Sequence, residues 1–197
     1  MGSRPRNDDL AYIAGFLDGD GSLMLQVKNR KDSKNGWRFM FTICFYQDTR
    51  HSKPLSWIKE TLGIGYLSNR NDGMTELRIN GFKQTKEVLE LLVPYIRFKS
   101  VQAKMMLEVA QILISNKFSD LDEKNRMKIA DAIEKIRHEN YQSGKKISTE
   151  KIYQRLGLTP YRLSPKGRDP HFGDNTPTPT VKNQAMVDPK VGCRMKI

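Results

Sequence analysis

Ala11, Gly15 and Gly19 recur at every fourth position, and the stretch that carries them closes on two carboxylates, Asp18 and Asp20, with a glycine between them. A four-residue interval returns to the same side of an α-helix, so residues 10–22 predict a helix with one nearly bare face that a second helix backbone can approach closely. Ala14 and Asp18 form a neighbouring row at the same interval, and Ala11, Ala14, Gly15, Asp18 and Gly19 are together assigned to a contact between two copies of the chain. Leu10, Ile13, Phe16 and Leu17 lie at helical spacing and are expected to face the core. Close approach of two such helices brings two copies of the terminal acid together. An EF-hand loop starting at Asp18 is excluded, because Leu23 stands at the required glycine and Asn29 at the required bidentate glutamate. A plain helix-ending turn or an isolated acid-x-acid metal motif remains compatible with these residues alone.

Residues C-terminal to the motif narrow the choice. Leu23, Leu25 and Val27 alternate with Met24, Gln26 and Lys28, and Phe39, Phe41, Ile43 and Phe45 alternate with Arg38, Met40, Thr42, Cys44 and Tyr46. A period of two predicts two half-buried strands joined by a long polar hairpin loop over residues 29–37. A helix comes next, with Ser52 as N-cap, Pro54 in its first turn and Gly63 as its stop. Residues 66–70 and 75–80 then flank Asn71-Asp72-Gly73, a turn signal between short strands. Residues 82–92 and 121–139 read as helices, Ser100 can cap another whose apolar positions include Val101, Met105, Val109, Ile112 and Leu113, and a short one is expected over 148–156. The order is helix, two strands, helix, two strands, then helices, which predicts an α+β fold.

The sheet's second face would carry Met24, Gln26, Lys28, Arg30, Arg38, Met40, Thr42, Cys44, Tyr46, Ser68, Arg70, Glu76 and Arg78. Arg and Gln match guanine and adenine edges, while Met and Cys can meet thymine methyl groups. The formal charge is +12, and residues 141–197 hold 11 basic and 4 acidic side chains. A polyanion is the expected partner. Lys145 and Lys146 add candidates for a phosphate contact, and residues 158–197, rich in Pro, Gly and Thr, are expected to form an irregular basic tail beyond a domain of residues 1–157. No apolar run is long enough to span a bilayer, so a membrane is not among the expected partners. Cys44 and Cys193 give no disulfide framework, which points to an intracellular, reducing compartment.

The 10–22 segment resembles the signature of the LAGLIDADG homing endonucleases, specifically their single-motif, homodimeric branch of the organellar group I intron type. The resemblance extends to the long basic hairpin, to Gln47 at the end of the second strand, to Gly63-Ile64-Gly65-Tyr66 and to Pro94-Tyr95-Ile96-Arg97-Phe98-Lys99 followed by Gln102-Ala103. It implies an αββαββα core with a four-stranded antiparallel DNA-binding saddle and C-terminal helices. It also implies that Asp20 and the Gly19 carbonyl bind a divalent metal, Mg²⁺ by default with Mn²⁺ as a substitute, that Gln47 positions solvent, and that Lys99 stabilises charge at the reacting phosphate. His51 stands where relatives often carry Arg in the solvent-organising shell, a departure because histidine is not permanently charged.

The implied activity is site-specific cleavage of a long, pseudo-palindromic double-stranded DNA by a homodimer that leaves short 3′ overhangs. The family also implies a chloroplast or mitochondrial setting. A noncleaving relative, either an intron RNA maturase or a DNA-binding regulator, is the competing expectation. A second strand of about nine residues spans roughly 30 Å, or about nine base pairs, so each half-site should be long.

Overall fold

The computed structural model describes residues 5–140 and 147–159. Helix α1 (Asn7–Asp20) is followed by β1 (Gly21–Asn29) and β2 (Trp37–Asp48), and a 3-10 turn (Thr49–His51) leads into α2 (Lys53–Leu62). Strands β3 (Tyr66–Asn69) and β4 (Met74–Asn80) come next, then α3 (Phe82–Leu92), α4 (Ser100–Ser115), α5 (Glu123–Glu139) and α6 (Thr149–Arg155). The four strands form one antiparallel sheet in the order β1-β2-β4-β3. The α+β architecture expected from the alternation is the one found. Expectations that fall on Lys145, Lys146, Cys193 and the 160–197 tail lie outside the described residues.

Helices cover one face of the sheet. Leu23, Leu25, Phe41, Ile43, Phe45, Leu77 and Ile79 are buried beneath them, together with Leu10, Ile13 and Leu17 of α1 and Val88, Leu89 and Leu92 of α3. Burial alternates along β1, because successive strand side chains point to opposite faces, whereas the central strands β2 and β4 also bury residues of the other face. Gly21 lets β1 start directly against the end of α1, since a Cβ there would lie 2.6–2.9 Å from atoms of Leu17.

Some boundaries differ from those the sequence predicts. Asn29 and Trp37 pair with each other, so the hairpin loop is only residues 30–36, closed by the Arg30 N–H donating to the Gly36 carbonyl at 2.8 Å. Trp37 is held by edge-on packing against Phe39 and Phe118, with ring centroids 5.2 and 5.1 Å away. Strand β2 has 12 residues instead of about nine and reaches roughly 40 Å. Ser52 occupies the N-cap position of α2 as expected, but in helical conformation and without a side-chain cap bond; its Oγ donates instead to the Thr49 carbonyl of the 3-10 turn that feeds straight into the helix.

Strand β1 forms an outer edge of the sheet, a position where unpaired backbone groups invite pairing with other chains. Side chains from the C-terminal helices cover it. Asn140 Nδ2 donates to the Leu23 carbonyl at 2.9 Å, and Arg155 bonds both the Val27 carbonyl and Asn29 Oδ1. No helix among the described residues is long and apolar enough to cross a membrane.

Candidate active site and nucleic-acid face

Helix α1 has two very different sides. Ala14 is fully buried inside the chain and Asp18 is only 8% exposed, whereas Ala11, Gly15 and Gly19 are exposed. A Cβ built at Gly15 or Gly19 would meet no atom within 4 Å, so the open side is as bare as the spacing predicts. Placing Ala14 and Asp18 on a contact between chains is therefore corrected. Their row lies about 100° around the helix, where it meets the sheet and the segment before α4 rather than solvent. Tyr12, on the exposed side, packs edge-on against Trp57 of α2 with centroids 5.6 Å apart.

Asp20 is exposed at the C-terminus of this helix. It lines a cleft of about 1200 Å³ with Gly19, Gln47, Phe98 and Lys99. Three residues far apart in sequence, Asp20, Gln47 and Lys99, are thus brought to one wall system, as the resemblance implies. His51 is not part of this lining; it sits exposed on the 3-10 turn four residues beyond Gln47. Gln47 Oε1 accepts the Asp48 N–H at 2.8 Å, which leaves its amide NH₂ as the group available to the cleft.

Lys99 is pinned to α1, its Nζ donating to the Asp18 carbonyl at 2.5 Å. Partial burial pushes the Lys99 ammonium below the ordinary lysine range, while the nearby charges of Asp18 and Asp20 act in the opposite direction. Asp18 accepts three further bonds. Its Oδ2 takes the Arg97 and Phe98 N–H groups at 2.6 and 3.1 Å, and its Oδ1 takes the Lys99 N–H at 3.0 Å. Sequence reasoning assigns Asp18 no such partner, and nothing local in the sequence signals a bond to residues about eighty positions away.

The donors near Asp20 suit a hard divalent cation. The Gly19 carbonyl and the Asp20 carboxylate are oxygen ligands at a helix C-terminus, where the macrodipole adds negative potential and where α1 has no basic residue in its last turn. Among the described residues, no group of three or more His, Cys, Asp and Glu side chains is placed to hold a metal. Within one chain the oxygen donors at this point are the Asp20 carboxylate and the Gly19 carbonyl.

The uncovered sheet face carries the expected residues in register. Met24 pairs with Thr42, Gln26 with Met40, Lys28 with Arg38, Cys44 with Arg78, Tyr46 with Glu76, and Ser68 with Glu76. Lys28, Arg30, Arg38 and Arg70 are exposed, and Met24, Gln26, Met40, Tyr46, Ser68 and Arg78 are half-buried. Thr42, Cys44 and Glu76 need correction as contact residues. Thr42 and Cys44 are fully buried and Glu76 is 6% exposed, because short or retracted side chains on the central strands are overshadowed by longer neighbours.

Thr42 Oγ1 donates to Asn80 Oδ1 at 2.8 Å, and Glu76 accepts from Arg78 Nη1 at 2.9 Å. These residues form the floor that orients the ones above them. Burial also pushes the Cys44 thiol and the Tyr46 hydroxyl up. The cleft continues from Asp20 along Met24, Gln26 and Lys28 to Lys151 and Arg155, two cations of α6 that sequence patterning does not single out. They become visible only once α6 is placed beside β1.

A profile of the LAGLIDADG endonucleases matches residues 13–113, just over half of the chain. Among curated proteins, the chain is 34% identical over 107 residues to DNA endonuclease I-CvuI of Chlorella vulgaris, covering 54% of this chain and 66% of that protein. It is 29% identical over 119 residues to DNA endonuclease I-CreI of Chlamydomonas reinhardtii, covering 60% and 72%. The chain thus spans about two thirds of the length of these relatives. Among solved structures, homing endonuclease I-CvuI in complex with its target superposes with a TM-score of 0.65 at 26% identity, covering 78% of this chain and 97% of that one. The motif helix, the four-stranded saddle and the matched profile agree: the chain belongs to the LAGLIDADG endonuclease family.

Proposed function

We propose that the protein is a site-specific homing endonuclease that acts as a homodimer on a long, pseudo-palindromic DNA duplex and hydrolyses one phosphodiester in each strand, leaving short 3′ overhangs. The observation that carries this reading is the open Ala11-Gly15-Gly19 stripe ending directly in the exposed Asp20 beside Lys99. Two chains joined by that stripe would place two carboxylates at a two-fold axis. Because the axis relates the two halves of the protein, the DNA target should have matching halves.

The duplex would lie along the uncovered sheet. Met24, Gln26, Lys28, Arg38, Met40, Arg70 and Arg78 supply base-edge and phosphate contacts, with Arg30 at the hairpin tip and Lys151 and Arg155 at the flank. I-CvuI and I-CreI are DNA endonucleases, and the structure of I-CvuI was obtained on its target in the presence of calcium. A divalent cation, Mg²⁺ by default with Mn²⁺ able to replace it, fits the Asp20 and Gly19 oxygens of a paired site. When bound, such an ion supplies an activated water and relieves charge on the phosphorane and leaving oxygen.

The chain's own residues complete the site. Gln47 directs solvent toward the phosphate through its free NH₂, and the Lys99 ammonium opposes negative charge that grows in the transition state. His51 contributes a hydrogen bond from the outer solvent shell. A chloroplast or mitochondrial setting belongs to the same proposal and rests on the family resemblance.

The test is selection of cut sites from a randomised duplex library with Mg²⁺, repeated with Asp20→Asn. Recovery of a cut site by the intact protein alone supports the reading. Enrichment of a long duplex with no cleavage under any divalent ion supports the noncleaving alternative.

A further inference from the structure

Asp18 makes more of the candidate site than its own side chain. The residue is 8% exposed, and its carboxylate accepts three consecutive backbone N–H groups, those of Arg97, Phe98 and Lys99, while its carbonyl accepts Lys99 Nζ. These amides belong to the connection that leads into α4 (Ser100–Ser115), a helix with no side-chain cap. Their shared acceptor lies on another helix, 79–81 residues earlier in the chain.

We propose that Asp18 is a positioning residue for Lys99: it fixes the 97–99 backbone against α1, and thereby holds the Lys99 ammonium in the cleft beside Asp20. This rests on the nuclease reading of the site. Phe98 supports the inference, because its side chain is 83% exposed and cannot anchor the segment by packing. Ile96, buried at 6%, anchors the chain on one side, and α4 holds it on the other. Between those points the Asp18 carboxylate supplies the fixed partners. A lysine has a long, freely rotating stem, so restricting both its backbone and its head removes much of the freedom that would otherwise be lost at the transition state.

Asparagine at position 18 keeps the size but offers only one acceptor oxygen, and its NH₂ would face a backbone donor. The experiment compares the full-length wild type with Asp18→Asn, Lys99→Ala and the double variant. It reads single-turnover cleavage of the selected duplex, duplex affinity without divalent metal, and amide hydrogen exchange. Loss of charge-assisted bonds of this kind corresponds to about a 10- to 100-fold slower cleavage for Asp18→Asn. Duplex affinity is expected to stay within about threefold, because the uncovered sheet is untouched. The 97–99 amides should exchange faster while the amides of β1 and β2 keep their protection.

The double variant should be no slower than Lys99→Ala, the signature of a residue that acts only through another. If Asp18→Asn slows the Lys99→Ala protein by the same factor as it slows the wild type, or if the 97–99 amides stay protected, the proposal is overturned. Should Asp18→Asn fail to fold, Asp18→Ser carries the same comparisons. A wild type that never cuts DNA refutes the nuclease reading, and the exchange measurement then still decides whether Asp18 holds the segment.

Discussion

Replacing Gly15 by Leu separates the stability of one chain from the joining of two. Inside the chain the substitution is free of conflict, since a Cβ at Gly15 meets nothing within 4 Å. Removing a glycine from a helix interior favours the helix by about 0.5–1 kcal/mol. Across a close helix-helix contact the same side chain overpacks, at about 1–3 kcal/mol per site. Two-fold symmetry applies that cost twice, about 2–6 kcal/mol, which raises the dimer dissociation constant by about 30-fold to 20,000-fold.

Sedimentation equilibrium over a concentration series measures the constant, and thermal unfolding of the dilute variant measures the fold. The expected result is a folded chain of undiminished helicity that dimerises weakly and cuts DNA slowly at concentrations where the wild type is paired. A Gly15→Leu protein with the wild-type dimer constant and cleavage rate would refute the reasoning, and so would one that fails to fold.

Gly65→Ala should destabilise the fold by about 1–3 kcal/mol in urea titration, because φ is +101° there and the new Cβ would lie 2.9 Å from Leu77 Cδ1 and 3.0 Å from the Arg78 carbonyl; an unchanged midpoint would contradict this. Lys28→Ala should weaken duplex binding and lower the slope of log affinity against log salt by about 0.9, and an unaltered slope would remove Lys28 from the phosphate contacts. Because burial pushes Lys99 below the ordinary lysine value of 10.5, its cation is lost earlier than usual as pH rises. Cleavage should therefore decline on the alkaline side below that value, and Lys99→Arg should abolish the decline; a rate limb that is the same in both proteins would disprove the assignment.

Local patterning made much of the fold legible. Alternation over residues 23–27 and 38–46 reports which side chains meet helices and which do not, because strand geometry enforces it residue by residue. The Asn71-Asp72-Gly73 turn and the Gly63 helix stop are also local, and Gly73 and Gly63 adopt the left-handed conformation at φ 77° and 66°. The open stripe on α1 was visible for the same reason. Ala14 was misplaced because a small residue reads alike on a bare face and in a tight core, and only the position of the sheet distinguishes them.

Tertiary effects account for the remaining differences. Thr42, Cys44 and Glu76 have the right parity for the outer face, yet their accessibility depends on the lengths of cross-strand neighbours such as Met24, Arg78 and Tyr46. Ser52 has the composition of a cap but comes after a 3-10 turn that already supplies the helix start. Asp18 offers the clearest case, since its partners lie at residues 97–99 and only the folded chain brings them near.

A catalytic site shared between two chains is the central claim. A mixed dimer that pairs one wild-type chain with one Asp20→Asn chain tests it most directly, with strand-resolved cleavage of the selected duplex as the readout. A shared site predicts that hydrolysis of both strands falls together toward the rate of the doubly substituted dimer. Wild-type nicking of one strand with the other left intact would contradict it, showing that each chain cuts alone.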